Sequence, residues 1–287
     1  MNFYEDIFSL RGKARMFKSV SYVLKENFTN LYRIYCIAKY ELLADMRDSK
    51  FGLFWNFASP AIQVLTYWLI FGLVWGKKGV NGIEYLPWML VGYGAWWFIQ
   101  PCLQSGCSAI FSKIDVITKM KFPVSVLPAT VCAKEMFNHF CMMLIVFVTL
   151  LISGHFPNLY WIQLLYYMLC AFAFAEAMSL ILSVLTMLWR DMRKLITSLM
   201  RMLMYFSPII WDCTFPTTIP GYEILNVLIK LNPVHYIING YRESIFYNKC
   251  FWEHPAQTLY FWGITFAIFC LGSVLMYKFK RKFIDMI

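Results

Sequence analysis

LITSLMRMLMYFSPIIW, residues 195–211, begins as a membrane helix and stops short of being one. Arg201 interrupts it, and Ser207-Pro208 breaks it. Two shorter apolar pieces follow, ILNVLI at 224–229 and VHYIINGY at 234–241, each bounded by proline, glycine or charge. Crossing a hydrocarbon core of about 30 Å takes roughly 20 apolar residues of helix. Pieces this short either lie on the membrane surface or dip into it and return. Non-helical backbone survives at membrane depth only where protein or a water-filled cavity surrounds it. The stretch 195–254 therefore reads as part of a pathway.

The rest of the chain identifies the solvent. Of its 287 residues, 60% are hydrophobic and only 15% are charged, against about 25% charged in soluble domains. This is an integral membrane protein. A net charge of +10 would suggest nucleic acid in a soluble chain. Here the basic residues are assigned to inner loops facing anionic lipid headgroups, and no nucleic-acid partner is expected. The nine cysteines are scattered and form no Cys-x-x-Cys pair. They read as small apolar residues, with Cys213 and Cys250 alone on the side where they could pair. The charged, amphipathic first fifty residues do not have the form of a cleavable signal.

Working outward, Phe17, Val20, Leu24, Phe28, Leu31, Tyr35, Ala38 and Leu42 recur at steps of three and four, with Lys18, Lys25, Glu26 and Arg33 off that stripe. The spacing predicts one amphipathic helix over 12–45 lying in the headgroup plane. Six spans are expected, at about 51–75, 85–111, 129–153, 159–188, 195–211 and 256–277. The predicted architecture is all-α. A cytoplasmic interfacial segment at 1–50 precedes a transmembrane domain at 51–287, with a loop at 113–128 and an outer, re-entrant region at 212–255. Lysine and arginine counts set the orientation. With the amino terminus inside, the inner segments hold twenty basic residues and the outer ones five. That positive-inside bias puts both termini in the cytoplasm.

The residues offer little catalytic chemistry. The sequence contains no G-x-x-x-x-G-K-[S/T] phosphate loop. Histidines 139, 155, 235 and 254 lack metal-ligand spacing, so no metal is expected. Asp45 and Asp48 sit among Arg47 and Lys50 as a solvated ion-pair face. Glu176 is the one carboxylate deep in a span, a costly placement that marks either a pathway or a bond between helices. Tyr67, Trp68 and Trp97, with other outer aromatics, suit stacking on sugar rings or an interfacial belt.

Five patterns in order complete the reading: Arg47-Asp48-Ser49-Lys50-Phe51-Gly52-Leu53-Phe54-Trp55 with Pro60; Lys119-Met120-Lys121-Phe122-Pro123 with Leu127-Pro128; Arg190-Asp191; Ser207-Pro208-Ile209-Ile210-Trp211; and Leu231-Asn232-Pro233 with Tyr241-Arg242. Together they resemble the membrane subunit of polysaccharide-type ABC exporters. Tyr236 and the run Gly240-Tyr241-Arg242-Glu243-Ser244 look most like the teichoic acid permeases of Gram-positive bacteria, within a frame shared by O-antigen and capsule permeases.

The resemblance implies a homodimer in a bacterial plasma membrane, with two ATPase subunits docked beneath it that carry ATP and magnesium. No cofactor is expected in this chain. It implies a coupling helix over Ile114–Phe122, with Ile114, Asp115, Lys119, Lys121 and Phe122 receiving the ATPase motion. It makes Ser207, Pro208, Trp211, Asn232, Pro233 and Arg242 the outer gate, with Glu176 a candidate along the pathway. The substrate would be a polymer on a polyprenyl diphosphate, with Arg47, Lys50 and Lys134 facing its pyrophosphate or lipid headgroups. A drug or small-lipid exporter of the same architecture, or a membrane-embedded polyprenyl-phosphate transferase, are the other readings.

Overall fold

The structure is a computed structural model, and it describes residues 10–47, 50–52, 54–74, 76, 79–119, 122–212 and 222–280. Among these residues every regular element is helical, with one isolated bridge between Val80 and Ile83 in a tight turn. We number the α-helices α1 (Leu10–Thr29), α2 (Leu31–Arg47), α3 (Phe54–Tyr67, running on as a π-helix over Trp68–Val74), α4 (Tyr85–Gly106), α5 (Ile114–Lys119) and α6 (Val126–Ile152). Then follow α7 (Gln163–Leu188, entered through a 3-10 turn at Leu159–Ile162), α8 (Met192–Phe206), α9 (Tyr222–Lys230), α10 (Pro233–Arg242) and α11 (Pro255–Phe279).

Among the described residues, four helices are long and apolar enough to cross a membrane: Phe54–Val74, Val126–Ile152, Leu159–Leu188 and Pro255–Phe279. The two other expected spans form shorter or less apolar helices. The second ends at Gly106 rather than at 111, and its apolar residues are diluted by glycine, proline and aromatic rings. The fifth covers Met192–Phe206 rather than 195–211. Its 15 residues reach about 22 Å at 1.5 Å per residue.

The core sits where α4, α7 and α10 meet, with Trp88, Tyr93, Phe98, Ile99, Tyr167 and Tyr241 almost wholly enclosed. In its most apolar window the span Leu159–Leu188 has 67% of its residues buried, whereas Phe54–Val74 has 6%. The first span is therefore peripheral, with its apolar side chains facing outward.

The amino-terminal segment is two helices, not the single one that the periodicity suggests. The Asn30 side chain donates to the Glu26 carbonyl at 2.7 Å, occupying an acceptor that the helix needs in order to continue. The stripe then splits. Phe17, Leu24, Phe28, Leu31 and Tyr35 are exposed, while Ala38 joins Ile34 on the buried side. Val23 packs against Ile110, Leu180 and Met276, so α1 lies across the carboxyl end of α11. Glu26 accepts the hydroxyls of Tyr22 (2.5 Å) and Ser125. Burial, with the Glu26 carboxylate beside it, pushes the Tyr22 phenol above its ordinary range. The apolar face of α1, with Phe17, Leu24 and Phe28, is left exposed.

Candidate functional site

The chain break after α8 sets the local problem. Ser207 leaves the helix in an extended conformation, and Pro208 cannot continue it. Carbonyls normally consumed by the next turn are left open, and in an apolar interior they must find donors. They find them in the order of the chain. Arg242 donates through Nη1 to Pro208 O at 2.5 Å and through Nη2 to Ile209 O at 2.7 Å. The Tyr85 hydroxyl donates to Ile210 O at 2.8 Å. Arg242 itself is 4% exposed, and its guanidinium lies 3.5 Å from the centroid of the Trp88 ring, a desolvated cation–π contact. Gly92 makes room for it, since a Cβ there would fall on the guanidinium.

Asn232 closes the same knot from α10. Its Nδ2 donates to Ser207 Oγ at 3.0 Å, and its Oδ1 accepts from the Val234 amide at 3.0 Å. This is an N-cap, followed by Pro233 in the first helical turn. Trp211 folds back to donate to Tyr205 O at 2.8 Å. The six residues expected to form an outer gate, Ser207, Pro208, Trp211, Asn232, Pro233 and Arg242, thus converge at one end of the bundle. Glu176 is elsewhere. It lies on α7 near Ser179, whose hydroxyl donates to Cys102 O at 3.1 Å. Cys102 is about 21 Å along α4 from Trp88. Both Glu176 carboxyl oxygens are enclosed, with no hydrogen-bond partner among the described residues.

Of the residues expected to stack on sugars, Tyr67 and Trp97 flank Tyr93, with ring centroids 5.4 Å and 5.0 Å away. Trp97 also donates to Gln63 at 3.2 Å. These rings join α3 to α4. Trp68 packs separately against the core, with its indole over Gly72.

The opposite end is polar. Of the expected coupling helix over Ile114–Phe122, α5 covers Ile114–Lys119 and Phe122 lies in irregular chain, while Met120 and Lys121 lie outside the described residues. Ile117 anchors α5 in the cluster with Val23 and Met276, leaving Asp115 and Lys119 exposed beside half-buried Ile114. The Arg33 guanidinium is 6.0 Å from the Phe122 ring. Of the expected headgroup contacts, Arg47 and Lys50 are exposed, and Lys134 pairs with Asp45 at 2.5 Å. Beside it Lys113 pairs with Glu41 at 2.7 Å. The described residues hold no cluster of three metal-ligating side chains.

Two elements of the knot escaped the sequence reading, namely the Trp88–Gly92 seat for Arg242 and the bond between His139 Nε2 and the Tyr241 hydroxyl at 2.9 Å. The only signal for the seat was a large ring and a glycine four residues apart, on one face of a helix.

Compared with known proteins, residues 32–246 match the family model described as ABC-2 type transporter. The chain belongs to the ABC-2 type transporter family. This ABC-2 chain is 26% identical over 207 residues to the O-antigen export system permease protein RfbA of Myxococcus xanthus, covering 72% of this chain and 77% of that one. It is 26% identical over 253 residues to a protein of the same name from Klebsiella pneumoniae, covering 88% and 93%. The narrower likeness to teichoic acid permeases finds no support here. The run that suggested it is occupied by internal packing. Gly240 receives the Tyr167 ring, Tyr241 bonds to His139, Arg242 clamps the break after α8, and the Ser244 hydroxyl donates to Gly240 O at 2.7 Å. Such residues report on how this end of the bundle folds and carry nothing about a polymer.

Proposed function

We propose that this chain is the membrane subunit of an ATP-driven exporter of a lipid-linked polysaccharide of the O-antigen type. The observation that carries this reading is the match to O-antigen permeases over 88% of this chain and 93% of theirs. In this reading two copies assemble with two ATPase subunits in a bacterial plasma membrane, and both termini are cytoplasmic. The helices α4 and α8 cross the membrane with the four longer ones, and α9 and α10 enter from the outside and return. The chain itself has no catalytic role, and hydrolysis belongs to the partner. Its α5 presents Asp115 and Lys119 to that partner, while Ile117 passes the motion into the bundle. The knot around Arg242 is the outer closure, and the ring ladder of Tyr67, Tyr93 and Trp97 lies along the route.

The test is substrate-stimulated hydrolysis in vesicles holding the chain and its ATPase. Polyprenyl-diphosphate-linked O-polysaccharide is expected to stimulate ATP hydrolysis severalfold, with a lipid-linked teichoic acid much weaker. Preference for the teichoic acid would overturn the substrate assignment. Hydrolysis by the chain alone would overturn the division of labour.

A further inference from the structure

At the end of the bundle that carries α2 and α5, a cavity of about 400 Å³ opens between α2, the foot of α4, and the first turns of α6 and α8. Its volume falls in the range of small-ligand sites. Its lining is rich in donors. Lys113, Lys134 and Arg193 bring three cations, while Ser105, Ser108 and Thr197 add hydroxyls. Glu41 and Glu135 are the acids on the wall. Glu135 is engaged sideways, accepting from Asn138 at 2.9 Å. Glu41 reaches in from α2 to pair with Lys113 at 2.7 Å, and Asp45, one turn later, pairs with Lys134 at 2.5 Å.

Residues four apart share a helix face. One face of an interfacial helix therefore sets two carboxylates on two lysines of the cavity. Each pair has one member more than a third exposed, Asp45 at 63% and Lys113 at 38%, and ion pairs open to water are weak. A phosphate presents the same kind of oxygen with more charge, and charge-assisted bonds to it are stronger.

We infer that this cavity receives the phosphate group of a membrane lipid, and that Glu41 and Asp45 of α2 occupy its lysines until that lipid arrives. The inference rests on the export reading for the identity of the lipid, the diphosphate of a polyprenyl carrier. Arrival of the headgroup displaces the two carboxylates and unfastens α2 from α6 and from the turn after α4, which opens the cavity toward the membrane. Lys113 and Lys134 are the binding residues, and Glu41 and Asp45 hold the site closed.

The experiment uses the full chain in phosphatidylcholine nanodiscs, titrated with farnesyl diphosphate and read by native mass spectrometry. The K113Q/K134Q variant is expected to bind at least tenfold more weakly. The E41Q/D45N variant, which keeps side-chain shape and leaves the lysines in place, is expected to bind severalfold more tightly. Equal binding by wild type and K113Q/K134Q, or no tightening in E41Q/D45N, would overturn the inference. Nanodiscs containing phosphatidylglycerol separate the two lipid sources. Persistence of diphosphate binding there assigns the site to the carrier, and loss assigns it to a resident phospholipid; both uphold a lipid-phosphate site. A chain that binds the diphosphate yet exports no polymer would refute the export reading alone. A chain that exports polymer with lysine-independent binding would refute this site alone.

Discussion

At one end of the bundle a single buried guanidinium holds two carbonyls released by a broken helix; at the other, two part-exposed lysines are held by carboxylates on a helix at the surface. Both arrangements close a gap between elements, but with different energetics. Hydrogen bonds from a charged donor in an enclosed site contribute about 1.5–3 kcal/mol each, and losing the donor strands the acceptors. Ion pairs in contact with water contribute about 0–1 kcal/mol. The knot around Arg242 is therefore the more costly of the two to open. The pairs on Lys113 and Lys134 are the cheaper to exchange, as the inferred anion site requires. In the proposed reading, cargo enters and ATP drives from the same side, and the labile contact sits on that side.

The comparison breaks most sharply at Arg242. Replacement by alanine should cost on the order of 4 kcal/mol, seen as a much shorter half-life of the folded chain in detergent at raised temperature. Lysine should not rescue it, because an ammonium cannot present the guanidinium fork to two neighbouring carbonyls while lying flat on Trp88. A stable, transport-competent lysine variant would show that the geometry is incidental. Next comes Gly92→Ala, whose added methyl meets the guanidinium. Overpacking of this kind costs about 1–3 kcal/mol, and the same half-life measurement reads it. Asn232→Ala removes the cap of α10 and the bond to Ser207. A loss of about 1 kcal/mol is expected, with partial recovery in Asn232→Ser, which still caps. The smallest stability effect belongs to the inner end. Neutralising Glu41 and Asp45 should change stability by less than about 1 kcal/mol. Charge reversal at Asp115 and Lys119 should leave the fold intact and abolish ATPase association, measured by co-purification; unchanged association would remove α5 from the docking surface.

How far the sequence carried the account differs between the two ends in the same way. Ser207-Pro208, Asn232-Pro233 and Arg242 were readable because broken helices and caps leave local punctuation, and the structure joins them. Their seat was not readable. Trp88 and Gly92 lie about 150 residues from Arg242, and no periodicity spans that distance. The all-helical class followed from hydropathy, but the helix limits moved where side chains compete with backbone, as Asn30 does for the Glu26 carbonyl. The apolar stripe was legible and its large side chains do face outward; the buried line is narrow, Ser19 and Val23 on α1 and Ile34 and Ala38 on α2. At the polar end, Lys134 was legible as a cation near the inner surface. Its pairing with Asp45, and the neighbouring pair of Lys113 with Glu41, depend on α2 packing against α6 and reaching the turn after α4, which no local pattern encodes.

The measurement that tests the central claim most directly is export itself. Vesicles carrying the chain and its ATPase, loaded with polyprenyl-diphosphate-linked O-polysaccharide, would be given ATP on the ATPase side and a polymer-specific lectin on the other. The account predicts lectin binding that depends on ATP and is lost in Arg242→Ala. Lectin binding without ATP, or no binding with an intact complex and hydrolysable ATP, would contradict it.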